Sequence, residues 1–304
     1  MAVTRRQLRQ ARKTKKQHSR VLFSMLTCLT LLGAGIGLNS YLVNRNQTAS
    51  RKQNIVQATA SFLDSRGLNN RLQQAWAKDA TVSGSKVAVA IFSKKTGQTY
   101  TYTNAPAQYK FHTASTIKVA VLASVLAKNN GQLDEHGKSL AESMIENSDN
   151  DATTELINDY LGGTAAFQAQ VNRLGMTNTK VKEAWGTSTT TPTDQINLLN
   201  QIFFSSNVLN SQSQQYIQNL MQNVESDQAW GISAGSSSYA LKNSWLSYGR
   251  SQWIVNSIGY VNGKGGNDYT IAVYTDQNRD MDHGQQLTEK IARSTKQVMA
   301  SLDD

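Results

Sequence analysis

The sequence predicts an α+β fold: an antiparallel sheet flanked by helices, with an all-helical lobe inserted between its strands. Three observations carry this reading. Residues 86–93 (KVAVAIFS), a turn at 94–97 and residues 98–103 form a hairpin pattern early in the folded body. Strand patterns return only late, at 239–246, 253–261 and 269–275, between turns rich in Gly, Asn and Ser. Between them, from residue 115 to about 224, the apolar stretches have helical spacing. Strands at both ends with helices between them give the helices a lobe of their own.

The elements follow in order. Eight of the 31 Lys and Arg residues lie in residues 1–20, which hold no acid, so 23 basic residues face 21 acidic ones in the rest of the chain. The formal charge of +10 therefore belongs mainly to the N-terminal segment, and the near-neutral body is not expected to bind nucleic acid. Residues 21–44 carry no charge. About 20 apolar residues suffice to cross a bilayer, a basic flank stays in the cytoplasm, and no small-x-small cleavage site follows. The expectation is a cytoplasmic tail at 1–20, a transmembrane signal anchor at 21–43, a stalk at 44–60 and an extracytoplasmic domain at 61–304. That domain would stand on the outer face of the cell membrane as a monomer. Cys28, the single cysteine, falls in the anchor, so the body has no disulfide and no thiol nucleophile. The four histidines include no His-Glu-x-x-His, and no metal or organic cofactor is expected.

Residues 45–80 are helix-compatible, with Ile55, Val56, Phe62, Leu63, Leu68, Leu72 and Trp76 on one face. After the hairpin, helices are expected at 117–126, 140–145, 151–161 and 164–174, the last stopped by Gly175. Pro192 opens another in the first-turn position that suits proline. Residues 209–224 end the lobe, and an amphipathic helix at 285–302 closes the chain.

The stretch with chemistry is Ser115-Thr116-Ile117-Lys118, at the mouth of the helix that runs on from Ile117. Positions i and i+3 share a helix face. A desolvated lysine loses its proton readily enough to activate a serine hydroxyl, and the helix N-terminus favours an oxyanion nearby. The spacing alone is weak evidence: Ser-x-x-Lys arises by chance about once in a chain of this size, and Ser83-Gly84-Ser85-Lys86 is such a case. Further on, Ser148-Asp149-Asn150 offers a second hydroxyl beside an amide, and is equally an ordinary N-cap string for the next helix. Lys242, in Leu241-Lys242-Asn243-Ser244-Trp245-Leu246, is either a second cation in the site or a solvated strand lysine.

Together, Ser-Thr-x-Lys on a helix, Ser-Asp-Asn about thirty residues later and a late strand lysine resemble the penicillin-recognising serine enzymes, most closely the class A β-lactamase family. Asp151-Ala152-Thr153-Thr154 leading to Leu161-Gly162-Gly163, Thr189-Thr190-Thr191-Pro192, and the run from Ala229-Trp230-Gly231 to Gly235 are similar to stretches of that family. The resemblance covers roughly residues 60–302 and implies a β-lactamase/transpeptidase-like fold. It further implies that Ser115 is the acyl-accepting nucleophile, Lys118 its base and Ser148 a proton relay to the leaving nitrogen. Asn150 would bind the substrate's amide side chain, and Lys242 its carboxylate. The N–H groups of Ser115 and Trp245 would form the oxyanion hole. Asn243 and Ser244 are expected to line the substrate site, as is Arg250, for which a surface turn is the rival reading.

Three departures qualify the expected activity. The family's Lys-Thr/Ser-Gly is Lys242-Asn243-Ser244 here, and the helical lobe is shorter between Lys118 and Asn150. The omega loop is short, and Glu183 is its only carboxylate between Gly175 and Pro192, so Glu183 is the sole loop candidate for the base that hydrolyses an acyl-enzyme, with a solvated carboxylate the favoured rival reading. The expected function is thus acylation of Ser115 by β-lactams or by D-Ala-D-Ala-like peptidoglycan stem peptides. The alternative is a slow-turnover penicillin-binding, wall-binding or sensing domain. A Ser-His-Asp esterase is disfavoured, because no Gly-x-Ser-x-Gly is present.

Overall fold

The computed structural model describes residues 66–302 except positions 82, 235, 250 and 251. The expected tail, anchor and stalk, the apolar positions Ile55 to Leu63, and Arg250 lie outside the described residues. Among the described residues no helix is long and apolar enough to cross a membrane.

Among the described residues five antiparallel strands form the main sheet: β1 (Lys86–Ser93), β2 (Gln98–Thr103), β5 (Tyr239–Ser247), β6 (Trp253–Val261) and β7 (Tyr269–Asn278), in the spatial order β2-β1-β7-β6-β5. Side chains alternate between faces along each strand. Val87, Val89 and Ile91 of β1 and Leu241 of β5 meet Leu68, Leu72 and Trp76 of α1 (residues 66–81) and Leu287 and Ile291 of α8 (Met281–Ala300). Trp76 Nε1 donates to Thr295 Oγ1 at 2.8 Å and ties α1 to α8. On the other face, Ala88, Ala90, Ile258, Ala272 and Tyr274 join the core of the helical lobe. Both faces are therefore buried, which is why β1 and β6 read as almost unbroken apolar runs.

The lobe holds α2 (Ile117–Lys128), α3 (Glu135–Glu146), α4 (Asn150–Glu155), a π-helical turn (Leu156–Leu161), α5 (Thr164–Arg173), α6 (Pro192–Phe203) and α7 (Ser211–Gln222). Its centre is α2, in which every residue from Ile117 to Ala127 is buried. A helix that is apolar all round belongs inside, and that position governs the chemistry of Lys118.

The structure departs from the sequence reading in three places. α3 begins a turn earlier than expected, because Asp134 caps it by accepting from the Gly137 N–H at 2.8 Å. A two-residue ribbon pairs β3 (Phe111–His112) with β4 (Thr189–Thr190) and clamps the chain just before Ser115 to the 175–191 loop. Ser115 sits beside the edge strand β5, the far edge from the hairpin that precedes it in sequence. There Ser244 Oγ donates to the Thr113 carbonyl at 3.0 Å, and Asn256 Nδ2 to the His112 carbonyl at 3.1 Å.

A Cβ at Gly259 on β6 would lie 2.0 Å from the Ala240 carbonyl oxygen of β5, two residues before Lys242. Gly259→Ala must therefore push the edge strand outward. It is expected to lower unfolding free energy in urea by about 1–3 kcal/mol or more, whereas Gly266→Ala, with open space around it, serves as the conformational control.

Candidate active site

The chain enters the site through a strained turn. Ala114 has φ +42°, a left-handed value for a non-glycine residue. Ser115 follows on a short 3₁₀ turn, Ala114–Thr116, that leads into α2. It is half-buried, and its Oγ has no hydrogen-bond partner among the described residues. Strain of this kind persists only where neighbours over-determine the backbone. Here the Thr113 carbonyl accepts from Ser244 Oγ and from Thr116 Oγ1 (2.7 Å), and the Thr113 N–H donates to the Ser188 carbonyl at 2.8 Å.

Lys118 lies one turn along α2 and is wholly buried. Its Nζ donates to the Ser148 carbonyl at 2.6 Å, Ser148 Oγ at 3.1 Å and Asn150 Oδ1 at 2.8 Å. Burial lowers its pKa to about 8, opposed by the nearby Asp149 charge. Ser148 reaches it from a left-handed backbone, φ +60°. Asp149 caps α4 by accepting from the Ala152 N–H at 2.7 Å, which leaves Asn150 as the first helical residue. Ser-Asp-Asn is thus both a helix cap, through Asp149, and part of the site, through its two neighbours.

Strand alternation turns Lys242 and Ser244 of β5 toward the lobe. Lys242 is fully buried, and its Nζ has no hydrogen-bond partner among the described residues. Burial, and next the charge of Lys118, lower its pKa to about 7. Two amines whose charged forms are both penalised share the site, and an anion entering it would relieve that penalty.

None of the other expected residues hydrogen-bonds either lysine amine among the described residues. Asn243 faces away from Lys242, its amide donating to the carbonyls of Gln228 (2.7 Å) and Trp230 (2.9 Å). Ser244 Oγ is engaged with Thr113 and accepts from Asn256 Nδ2 at 3.1 Å. Both side chains brace the edge strand and offer a substrate no free donor. Glu183 is exposed and makes no hydrogen bond or ion pair among the described residues. Trp245, 39% exposed, lies 6.2 Å from the Trp230 ring.

Sequence reasoning missed Trp185. Its ring centroid is 5.1 Å from Lys118 Nζ, and its Nε1 donates to Thr154 Oγ1 at 3.2 Å. His112 has a structural part beside the site: its Nδ1 pairs with the Thr187 carbonyl at 2.9 Å and its ring lies 5.4 Å from that of Tyr248. An N–H···O=C bond there makes Nδ1 the protonated nitrogen. The available signal was the shortness of the loop after Glu183, which forces whatever follows it back onto the serine turn.

The model of the beta-lactamase enzyme family matches residues 136–299 of the chain, a span that includes Ser148 and Lys242 and begins after Lys118. No curated protein matches the sequence. Among solved structures, a representative of class A beta-lactamase from Bacteroides cellulosilyticus is similar over 77% of this chain and 99% of its own, at 18% identity and a TM-score of 0.66. A beta lactamase from Xanthomonas campestris pv. campestris matches at 15% identity over 76% and 98%, TM-score 0.64. One from Burkholderia vietnamiensis matches at 19% over 74% and 95%, TM-score 0.63. At such identities the likeness establishes a shared fold.

The Lys242 shift has a measurable consequence. Its pKa falls from 10.5 unfolded to about 7 folded, so the unfolded chain binds more protons between those values and stability rises with pH across that window. Below about 7 the penalty is complete; above 10.5 it is gone. Lys242→Met is expected to be more stable than the wild type near pH 6, with the advantage shrinking steadily toward pH 10 in urea titrations at several pH values.

Proposed function

The chain belongs to the beta-lactamase enzyme family, and on that premise we propose that it is a serine hydrolase acylated on Ser115. Its substrates are β-lactams or D-Ala-D-Ala-like amides of peptidoglycan stem peptides. The observation that carries the proposal is the buried Lys118 amine, one turn from Ser115 and in hydrogen-bond reach of Ser148 Oγ. In its neutral form Lys118 takes the Ser115 proton while Oγ attacks the substrate carbonyl. The oxyanion is held by the N–H groups of Ser115 and Trp245. The proton passes through Ser148 Oγ to the departing nitrogen, the C–N bond breaks, and an ester on Ser115 remains. Asn150 orients the substrate's amide. Lys242 meets its carboxylate, whose negative charge lets the buried amine take up a proton from solvent and hold it. The uncharged segment at 21–43 anchors the chain in the cell membrane, with residues 61–304 acting as a monomer on the outer face.

A second reading, slow-turnover penicillin binding or wall sensing, is favoured by the exposed and unpartnered position of Glu183, which lacks the setting of a general base. Removing a positioned base typically slows a step about 10²–10⁴-fold, so acylation can persist where deacylation fails.

Fluorescent penicillin added to the full-length chain tests both. Covalent label is expected on the wild type and none on Ser115→Ala. Label that turns over with consumption of penicillin identifies a hydrolase; label that persists identifies the binding or sensing role. An unlabelled wild type overturns the acyl-serine mechanism for β-lactams. Because acylation needs the neutral amine, the labelling rate is expected to rise about tenfold per pH unit and level off above the Lys118 pKa of about 8. Lys118→Ala should lose about 10²–10⁴-fold in that rate and the profile with it.

A further inference from the structure

We propose that Trp185 is a cover over the acylated Ser115, holding water off the ester and making the acyl-enzyme long-lived. The inference rests on the acyl-Ser115 reading and assigns the step that limits it. The indole is fixed from several directions. Its ring packs against the core of the helical lobe and lies 5.1 Å from Lys118 Nζ. Its Nε1 donates to Thr154 Oγ1, and that hydroxyl donates to the Asn150 carbonyl at 3.0 Å, so the indole is linked to the residue that faces Lys118. The turn that bears it, Trp185–Thr187, is tied to the serine turn by His112 Nδ1 on the Thr187 carbonyl and by the Thr113 N–H on the Ser188 carbonyl.

Hydrolysis of the ester requires a water beside its carbonyl and a group to take that water's proton. As the water oxygen bonds to carbon, the ester C–O bond breaks and the proton returns to Ser115 Oγ. The nearby carboxylates do not serve. Glu183 is exposed, two residues before Trp185 and without a partner. Asp149 accepts from the Ala152 N–H and is also exposed. Beside Lys118 the 175–191 loop presents an indole face and no carboxylate among the described residues. A ring of that size excludes water and offers it no acceptor.

The test separates formation of the acyl-enzyme from its loss. The full-length wild type, Trp185→Phe, Trp185→Leu and Thr154→Ala are labelled with fluorescent penicillin, then chased with excess unlabelled penicillin. Thr154 is exposed, so its replacement frees the indole without opening the core. The wild-type label is expected to outlast a chase of many minutes. With labelling carried out well above the Lys118 pKa of about 8, where the amine is neutral with or without the indole, Trp185→Leu and Thr154→Ala should shorten the label's lifetime about tenfold by admitting water and keep labelling rates within about threefold of wild type. Trp185→Phe, which keeps an aromatic face, should stay near wild type. A purely structural role would lower labelling and melting temperature together and leave lifetime unchanged. Wild-type label lost within seconds, or unchanged lifetimes in both Trp185→Leu and Thr154→Ala, overturns the cover while leaving acylation of Ser115 standing. No label on the wild type removes the acyl-serine reading itself, and the cover with it.

Discussion

The site depends on one constraint, the burial of two lysine amines with too little around them to hold both as cations. α2 is apolar on every side because it is the axis of the helical lobe, and Lys118 enters that axis at its first turn. Three oxygens and an aromatic face favour its charged form, yet desolvation is the larger effect and the amine is left easy to deprotonate. Lys242 arrives from the edge strand with no partner of its own, and its neighbour's charge adds to the penalty of burial. Neither shift requires a dedicated device. Each follows from putting a lysine where the fold needs an apolar residue.

The serine side is held by a different means. Ala114 and Ser148 both adopt left-handed backbones that non-glycine residues avoid, and each strained residue lies beside a group that must point at Lys118 or at substrate. What keeps Ala114 there is a set of bonds around Thr113, drawn from the edge strand, from Asn256 on β6 and from the 175–191 loop, while Ser148 is held by Lys118 Nζ on its own carbonyl and by the Asp149 N–H on the Ser143 carbonyl. On this view Asn243 and Ser244 differ from the family's usual residues because here they fasten β5 rather than greet a substrate. Asn243 holds the segment before the strand; Ser244 holds the serine turn.

Much of this was legible in the residues. The strands Lys86–Ser93 and Trp253–Val261 and the start of α2 fall where their apolar runs put them, since a strand or helix buried on all sides needs little else to declare itself. Ser148 and Asn150 were legible because a cap string and a site string can coincide. The β3–β4 ribbon was not: two residues have no periodicity, and its existence depends on a loop closing from about eighty residues away. Trp185 was hidden for the same reason. The search of that loop was for a carboxylate, and Glu183 was the only one; which side chain faced Lys118 was decided by loop length and by Thr154 on another helix.

The two halves of an acyl-transfer cycle place opposite demands on such a site. Forming the ester needs a neutral amine, and the drier the surroundings of Lys118 the larger its neutral fraction at a given pH. Breaking the ester needs water in the same space, with an acceptor for its proton. An enzyme that turns over rapidly reconciles these by adding a carboxylate that holds one water in an otherwise dry pocket. In this chain the corresponding loop is short, its acid points to solvent, and an aromatic ring adjoins the lysine. On the proposed acyl-Ser115 mechanism, the same desolvation that prepares the nucleophile withholds the second reactant, and a site built this way would capture an acyl group more readily than release it.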